Sequence, residues 1–205
     1  MRAFIALEIP EKIKDRLEKI QNQLRQKGVK ATWVKRQNLH LTLIFFADIS
    51  PEQAELTAKL MKNTLTPRRC QAESASRRRN HDSSEVNSSI ELKLTPLGAF
   101  PNPDFPKIIW IGLTGEIEKI NLINSQIREK LNQEKIPFDS KPFIPHLTIA
   151  RLRKIKPGQK KEFGRFLSQF QLPGKWSFQI NQVALIKSQL TPQGPIYTDL
   201  LRINL

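Results

Sequence analysis

The sequence predicts an α+β protein with two pseudo-symmetric lobes of antiparallel sheet plus helices, facing each other across a central cleft. Three observations lead there. Four stretches with helical apolar spacing are interleaved with short alternating or apolar runs that read as strands. The tetrapeptide His40-Leu41-Thr42-Leu43 returns as His146-Leu147-Thr148-Ile149, 106 positions later (146 − 40). Each half of the chain holds strands, helices and one of these tetrapeptides, the pattern a duplicated unit leaves. Residues 1–205 therefore read as a single bilobal domain, interrupted by a disordered basic insertion at 67–89.

Residues 2–9 alternate loosely and form an opening strand that stops at Pro10. In the helix that follows, Ile13, Leu17, Ile20 and Leu24 make one stripe, and Gly28 supplies the left-handed residue that ends it. A basic connector with Trp33 and Val34 leads to the first motif strand, Leu39 to Phe46. Ser50-Pro51-Glu52-Gln53 has a capping serine, a proline at the first helical position and a Gln at the third, so a second helix starts there and runs to about Leu65. Residues 67–89 carry Val86 as their one large apolar residue, and no core forms from them.

The strand pattern resumes at Ile90-Glu91-Leu92-Lys93-Leu94, followed by a proline-rich loop from Pro101 to Pro106 and an apolar strand from Lys107 to Leu113. A third helix has Ile117, Ile120, Ile127 and Leu131 on one face, with Leu122 and Ile123 expected to broaden the stripe. Pro142 and Pro145 hold the approach to the second motif extended, so His146 is rigidly delivered. A fourth helix places Phe163, Phe166, Leu167 and Phe170 on one face as core packing. Two final strands, one with Trp176, Phe178 and Ile180 and one with Leu201, Ile203 and Leu205, close the chain around a turn at Thr191-Pro192-Gln193-Gly194-Pro195.

Composition narrows the function. A 39% apolar content suits a soluble globular fold, and no run is long enough to span a membrane or act as a signal peptide, so a cytoplasmic monomer is expected. The single Cys70 rules out an internal disulfide and a cysteine-based metal site. Net charge is +15, concentrated in blocks at residues 25–36 and 151–165, both adjoining the motifs; such blocks suit a polyanion.

Along a strand, side chains alternate, so His40 and Thr42 share one face and His146 and Thr148 another. Two of only three histidines have this pattern, although ten threonines occupy 205 positions; chance would produce that in roughly 1 case in 100. His81 has no such partner and reads as silent. Two imidazoles in one cleft can hold opposite protonation states, one taking a proton and the other giving one, while threonine hydroxyls donate to non-bridging phosphate oxygens. Phosphoryl transfer needs that division, and neither a metal nor another cofactor is expected from this donor set. By strict alternation Arg151 lies opposite His146, and it reaches phosphate only if a twist or bulge redirects the strand end.

The runs RAFIALEIP, NLHLTLIFF, GAFPNPDFPKIIWIG and KPFIPHLTIAR, spread over nearly the whole chain, resemble the 2H phosphoesterase superfamily and specifically its RNA 2′,3′-cyclic phosphodiesterase branch, formerly called 2′-5′ RNA ligase. The resemblance implies hydrolysis of a terminal RNA 2′,3′-cyclic phosphate to a 2′-phosphate. It implies His40 as proton donor and His146 as proton acceptor, with Thr42 and Thr148 binding phosphate. The chain departs from the pattern in its long 67–89 connection and at Phe46-Ala47-Asp48, where a glycine commonly follows the aromatic. Two other readings stand beside this one: a non-catalytic basic RNA-binding module, and a phosphodiesterase acting on 2′-5′ oligonucleotides or small cyclic nucleotides.

Overall fold

A computed structural model describes residues 1–26, 28, 30–66, 89–152 and 157–205. In chain order the described elements are β1 (Ala3–Glu8), α1 (Glu11–Arg25), β2 (Ala31–Trp33), β3 (His40–Phe46), α2 (Pro51–Leu65), β4 (Ile90–Phe100), β5 (Ile108–Gly115), α3 (Ile117–Gln133), β6 (His146–Leu152), α4 (Pro157–Gln169), β7 (Ser177–Ile180), β8 (Gln182–Thr191) and β9 (Gly194–Asn204). They build two antiparallel sheets, ordered β3-β1-β8-β9 and β2-β6-β5-β4-β7. Each sheet holds one motif strand.

The sheets are not the two halves of the chain, as the duplication suggested. Strand β2, from the N-terminal half, pairs with β6, while β8 and β9, from the C-terminal end, complete the sheet begun by β1. The expectation of two closing strands missed β8. Its Val183-Ala184-Leu185-Ile186 run is buried throughout, so it shows no alternation to read; it lies between β1 and β9. The basic connector likewise contains β2 and a short 3₁₀ turn at Arg36–Asn38.

The helices form for the expected reasons. Ile13, Leu17, Ile20 and Leu24 of α1 are buried, and Gly28 beyond it has φ +71°. At the start of α2, Gln53 N donates to Ser50 Oγ at 3.2 Å and Ser50 N donates to Gln53 Oε1 at 2.9 Å, a reciprocal capping box. In α3 the core-facing residues include Ile120, Ile127 and Leu131, but Leu122 is 57% exposed, because two residues past Ile120 is about 200° around the helix. Phe163 and Leu167 of α4 are buried and its half-buried Phe166 and Phe170 pack on them, as core residues do.

Strand β4 runs six residues past the expected Leu94. The pairing with β5 shifts between Leu94 and Leu97, so Pro96, which has no N–H to donate, falls in a bulge where none is needed. The core against the helices takes Ala3, Ile5 and Leu7 from β1, and the alternate residues Phe4 and Ala6 join Ala184 and Ile186 on the opposite face. That second, smaller apolar layer lies beneath His40, whose ring stacks on Phe4.

Candidate active site

Both motif strands carry the same irregularity at the same place. In β3, Ile44 pairs with Ile5 and Thr42 with Ala6, leaving Leu43 as an extra residue; in β6, Ala150 pairs with Ile109 and Thr148 with Trp110, leaving Ile149 extra. Each bulge directly follows the motif threonine. Up to it, alternation holds: Leu41 and Leu147 are fully buried, while the motif histidines and threonines face the opposite way. After it the phase resets. Leu43 and Ile44 are both buried, as are Ile149 and Ala150, and the next residues, Phe45 and Arg151, return to the histidine face. Strict alternation had put Arg151 opposite His146, and the bulge reverses that.

The histidines are set in parallel ways. His146 Nδ1 lies 2.6 Å from the Ile144 carbonyl, which fixes Nδ1 as the donor and turns Nε2 outward. His40 makes a backbone hydrogen bond with Asn38, and its Nε2 lies 3.0 Å from Thr42 Oγ1. Aromatic rings back both imidazoles: Phe4 stacks on His40 at 4.5 Å with Tyr197 edge-on, and Phe100 meets His146 edge-on at 5.0 Å, with Trp110 beyond. Composition and spacing did not single out Phe4, Phe100, Trp110 or Tyr197 for the site. The signal was their place inside or beside the quoted runs, and only strand pairing puts them behind a histidine.

Both sheets contribute to one cavity of 430 Å³, lined by His40, Thr42, His146, Thr148 and Arg151, with Lys35 and Tyr197 at its edge. The structure thus brings together every residue that sequence reasoning named for the site. Desolvation lowers the His40 pKa to about 4, against the partial support of the Asn38 hydrogen bond, and Lys14, Arg151 and His146 push it the same way. His146 is also lowered, first by burial and then by Arg151. Burial raises the Tyr197 phenol, so it stays protonated at neutral pH.

The 25–36 basic block is partly spent on internal pairs. Arg36 pairs with Glu11 and Asp15, and Arg25 lies 5.2 Å over the Trp33 ring, whereas Lys35 remains at the cavity. Cys70, His81 and all but the last residue of the 67–89 insertion lie outside the described residues, as does part of the 151–165 block. Among the described residues no helix is long and apolar enough to cross a membrane.

The sequence model of the 2′-5′ RNA ligase superfamily matches residues 9–192. A protein of Methanocaldococcus jannaschii named RNA 2′,3′-cyclic phosphodiesterase is 32% identical over 199 residues, covering 96% of each chain. A protein of the same name from Aquifex aeolicus is 31% identical over 200 residues, covering 97% of this chain and 94% of its own. Among solved structures, E. coli LigT complexed with 3′-AMP superposes with a TM-score of 0.71 at 19% identity, over 100% of this chain and 97% of that one. The protein TT0787 of Thermus thermophilus does so at 0.69 and 24% identity, over 100% and 98%. These two likenesses establish the shared fold. Matched along most of its length by the family and by full-length relatives, the chain belongs to the 2′-5′ RNA ligase superfamily, the 2H phosphoesterases.

Proposed function

We propose that the protein hydrolyses the 2′,3′-cyclic phosphate at the end of an RNA to a 2′-phosphate, using its two motif histidines for proton transfer. The observation that carries this reading is the convergence of two imidazoles, two hydroxyls and one guanidinium, from two different sheets, on one cavity. The names of the relatives with the highest identities supply the substrate class.

His146 Nε2, unprotonated because Nδ1 donates to Ile144, takes a proton from water as the water oxygen attacks phosphorus. The bond from phosphorus to the 3′-oxygen breaks, and His40 gives that oxygen its proton. Thr42, Thr148 and Arg151 donate to the non-bridging oxygens, on which charge accumulates in the transition state. In the free protein His40 is neutral at neutral pH, because its pKa sits at about 4. The phosphate anion supplies the missing charge: bound beside the ring, it favours the imidazolium and so arms the acid when substrate is present. Thr42, whose hydroxyl meets Nε2 in the free site, is placed to turn toward the phosphate as that proton arrives.

The test is an oligoribonucleotide ending in a 2′,3′-cyclic phosphate, with the product identified by mass and by resistance to 3′-phosphate-specific removal. A 2′-phosphate product that is lost in both His40→Ala and His146→Ala is expected. A 3′-phosphate product, or turnover that persists in either variant, overturns the assignment.

A further inference from the structure

Two buried amides, one from each of two helices, make the same contact on the two motif strands. Gln21 of α1 is 1% exposed and Asn124 of α3 is 5% exposed. Asn124 Nδ2 donates to the Leu43 carbonyl oxygen at 2.8 Å, and Gln21 Nε2 donates to the Ile149 carbonyl oxygen, also at 2.8 Å. Leu43 and Ile149 are the extra residues of the two bulges. Gln21 Nε2 donates as well to the Val34 carbonyl at 2.8 Å, and Val34 N donates to the Ile149 oxygen at 3.0 Å. The second bulge is thereby tied both to the helix and to the chain leaving β2.

Packing alone does not account for these amides. Asn124 sits in the apolar stripe of α3 between Ile120 and Ile127, and Gln21 sits in that of α1 beside Ile20 and Leu24; at both positions a leucine would bury more apolar surface. Different amides on different helices reach equivalent backbone atoms, and each crosses between sheets to do so. α1 follows β1 of the first sheet and reaches β6 of the second, while α3 follows β5 of the second and reaches β3 of the first.

We infer that Gln21 and Asn124 are positioning residues, which hold the two bulge carbonyls and so set which side chains each motif strand turns into the cavity. The functional meaning rests on the phosphodiesterase reading above. A bulge disrupts the ladder, and its buried carbonyl needs a partner. Once the amide is gone, the strand lowers its energy by moving or losing the bulge, and a one-residue slip exchanges faces. In β3 that displaces Thr42 and Phe45 relative to His40; in β6 it displaces Thr148 and Arg151 relative to His146.

Gln21→Leu and Asn124→Leu in the full chain test this. In the unliganded protein, the ring Cε1–Hε1 resonances of the histidines are expected to respond selectively, His40 to Asn124→Leu and His146 to Gln21→Leu. Each variant should lose about 10-fold or more in kcat/KM, the scale set by small misplacements of reacting groups. Because Gln21 acts on the strand that carries Arg151, the losses of Gln21→Leu and Arg151→Ala should combine to less than their product, while those of Asn124→Leu and Arg151→Ala should multiply. Lower melting temperatures with unshifted ring signals and wild-type kinetics would make the amides structural only and overturn the inference. Should a leucine variant not fold, Asn124→Asp and Gln21→Glu replace it: a protonated carboxyl donates as the amide did and an ionised one cannot. The ring signals are then expected to move with that titration, and signals that stay fixed through it overturn the inference. If instead His146→Ala keeps its turnover, the phosphodiesterase reading fails, and the ring resonances still report on the two bulges.

Discussion

The His40 imidazole lies flat on Phe4 and is desolvated to a pKa of about 4, and His146 is displaced in the same direction. In the free protein, then, both rings are neutral at neutral pH, and the form with one charged ring becomes scarcer as pH rises through their folded values. The kcat/KM profile, which reports the free enzyme, should be a bell whose optimum lies below the ordinary histidine value of 6.5. The kcat profile should lie at higher pH, because bound phosphate stabilises the imidazolium. Steady-state rates from about pH 4 to about pH 8 on a cyclic mononucleotide would check this, and coincident profiles centred above about pH 7 would contradict it. Replacing either histidine with alanine should cost about 10²–10⁴-fold in kcat, the usual worth of positioned acid–base catalysis. Since imidazoles, hydroxyls and Arg151 carry the proposed chemistry, turnover should be unchanged in excess EDTA; a loss restored by a divalent ion would require a different mechanism.

At the scale of elements, the site depends on how β4 and β5 meet. Gly98 pairs directly with Trp110, and a Cβ at Gly98 would lie 2.2 Å from the indole. Glycine is needed there because the ring that stands behind His146 occupies the space of a side chain. Gly98→Ala is expected to push Trp110 toward His146, lowering kcat and shifting indole fluorescence; unchanged values for both would show that the ring has room elsewhere. The start of α2 offers a contrasting test, remote from the chemistry. Ser50→Ala removes the acceptor of Gln53 N and should lower stability by ~1 kcal/mol in urea unfolding, leaving kcat alone. A drop in kcat would connect α2 to the cavity in a way its contacts do not suggest.

For the whole molecule, a net charge of +15 makes a long RNA a different substrate from a cyclic mononucleotide. Cations near the cavity, Lys35 and Arg2 among them, offer an RNA chain contacts beyond its reacting phosphate, and each neutralised phosphate releases counterions. The logarithm of kcat/KM should therefore fall steeply with the logarithm of salt for an oligonucleotide and only slightly for the mononucleotide. Equal slopes would confine the electrostatic contribution to the reacting phosphate.

The sequence by itself determined what depends on neighbours along the chain. The apolar stripe from Ile13 to Leu24, the Ser50 capping box and the repeated His-x-Thr strands all follow from local periodicity and local hydrogen bonding, and they were readable residue by residue. The repeat also named the reacting side chains, since few other chemistries use a duplicated imidazole and hydroxyl. What the tertiary structure decided is what depends on partners far away in the chain. Strand β8 is buried on both sides and leaves no alternation to read; its position beside β1 emerges only once the two pair from opposite ends of the chain. The face of Arg151 was likewise undetermined, because Ile149 and Ala150 fit a regular strand as well as a bulged one. Pairing with Ile109 and Trp110 makes Ile149 the extra residue, Gln21 from another element holds its carbonyl, and that combination turns the guanidinium toward the histidines.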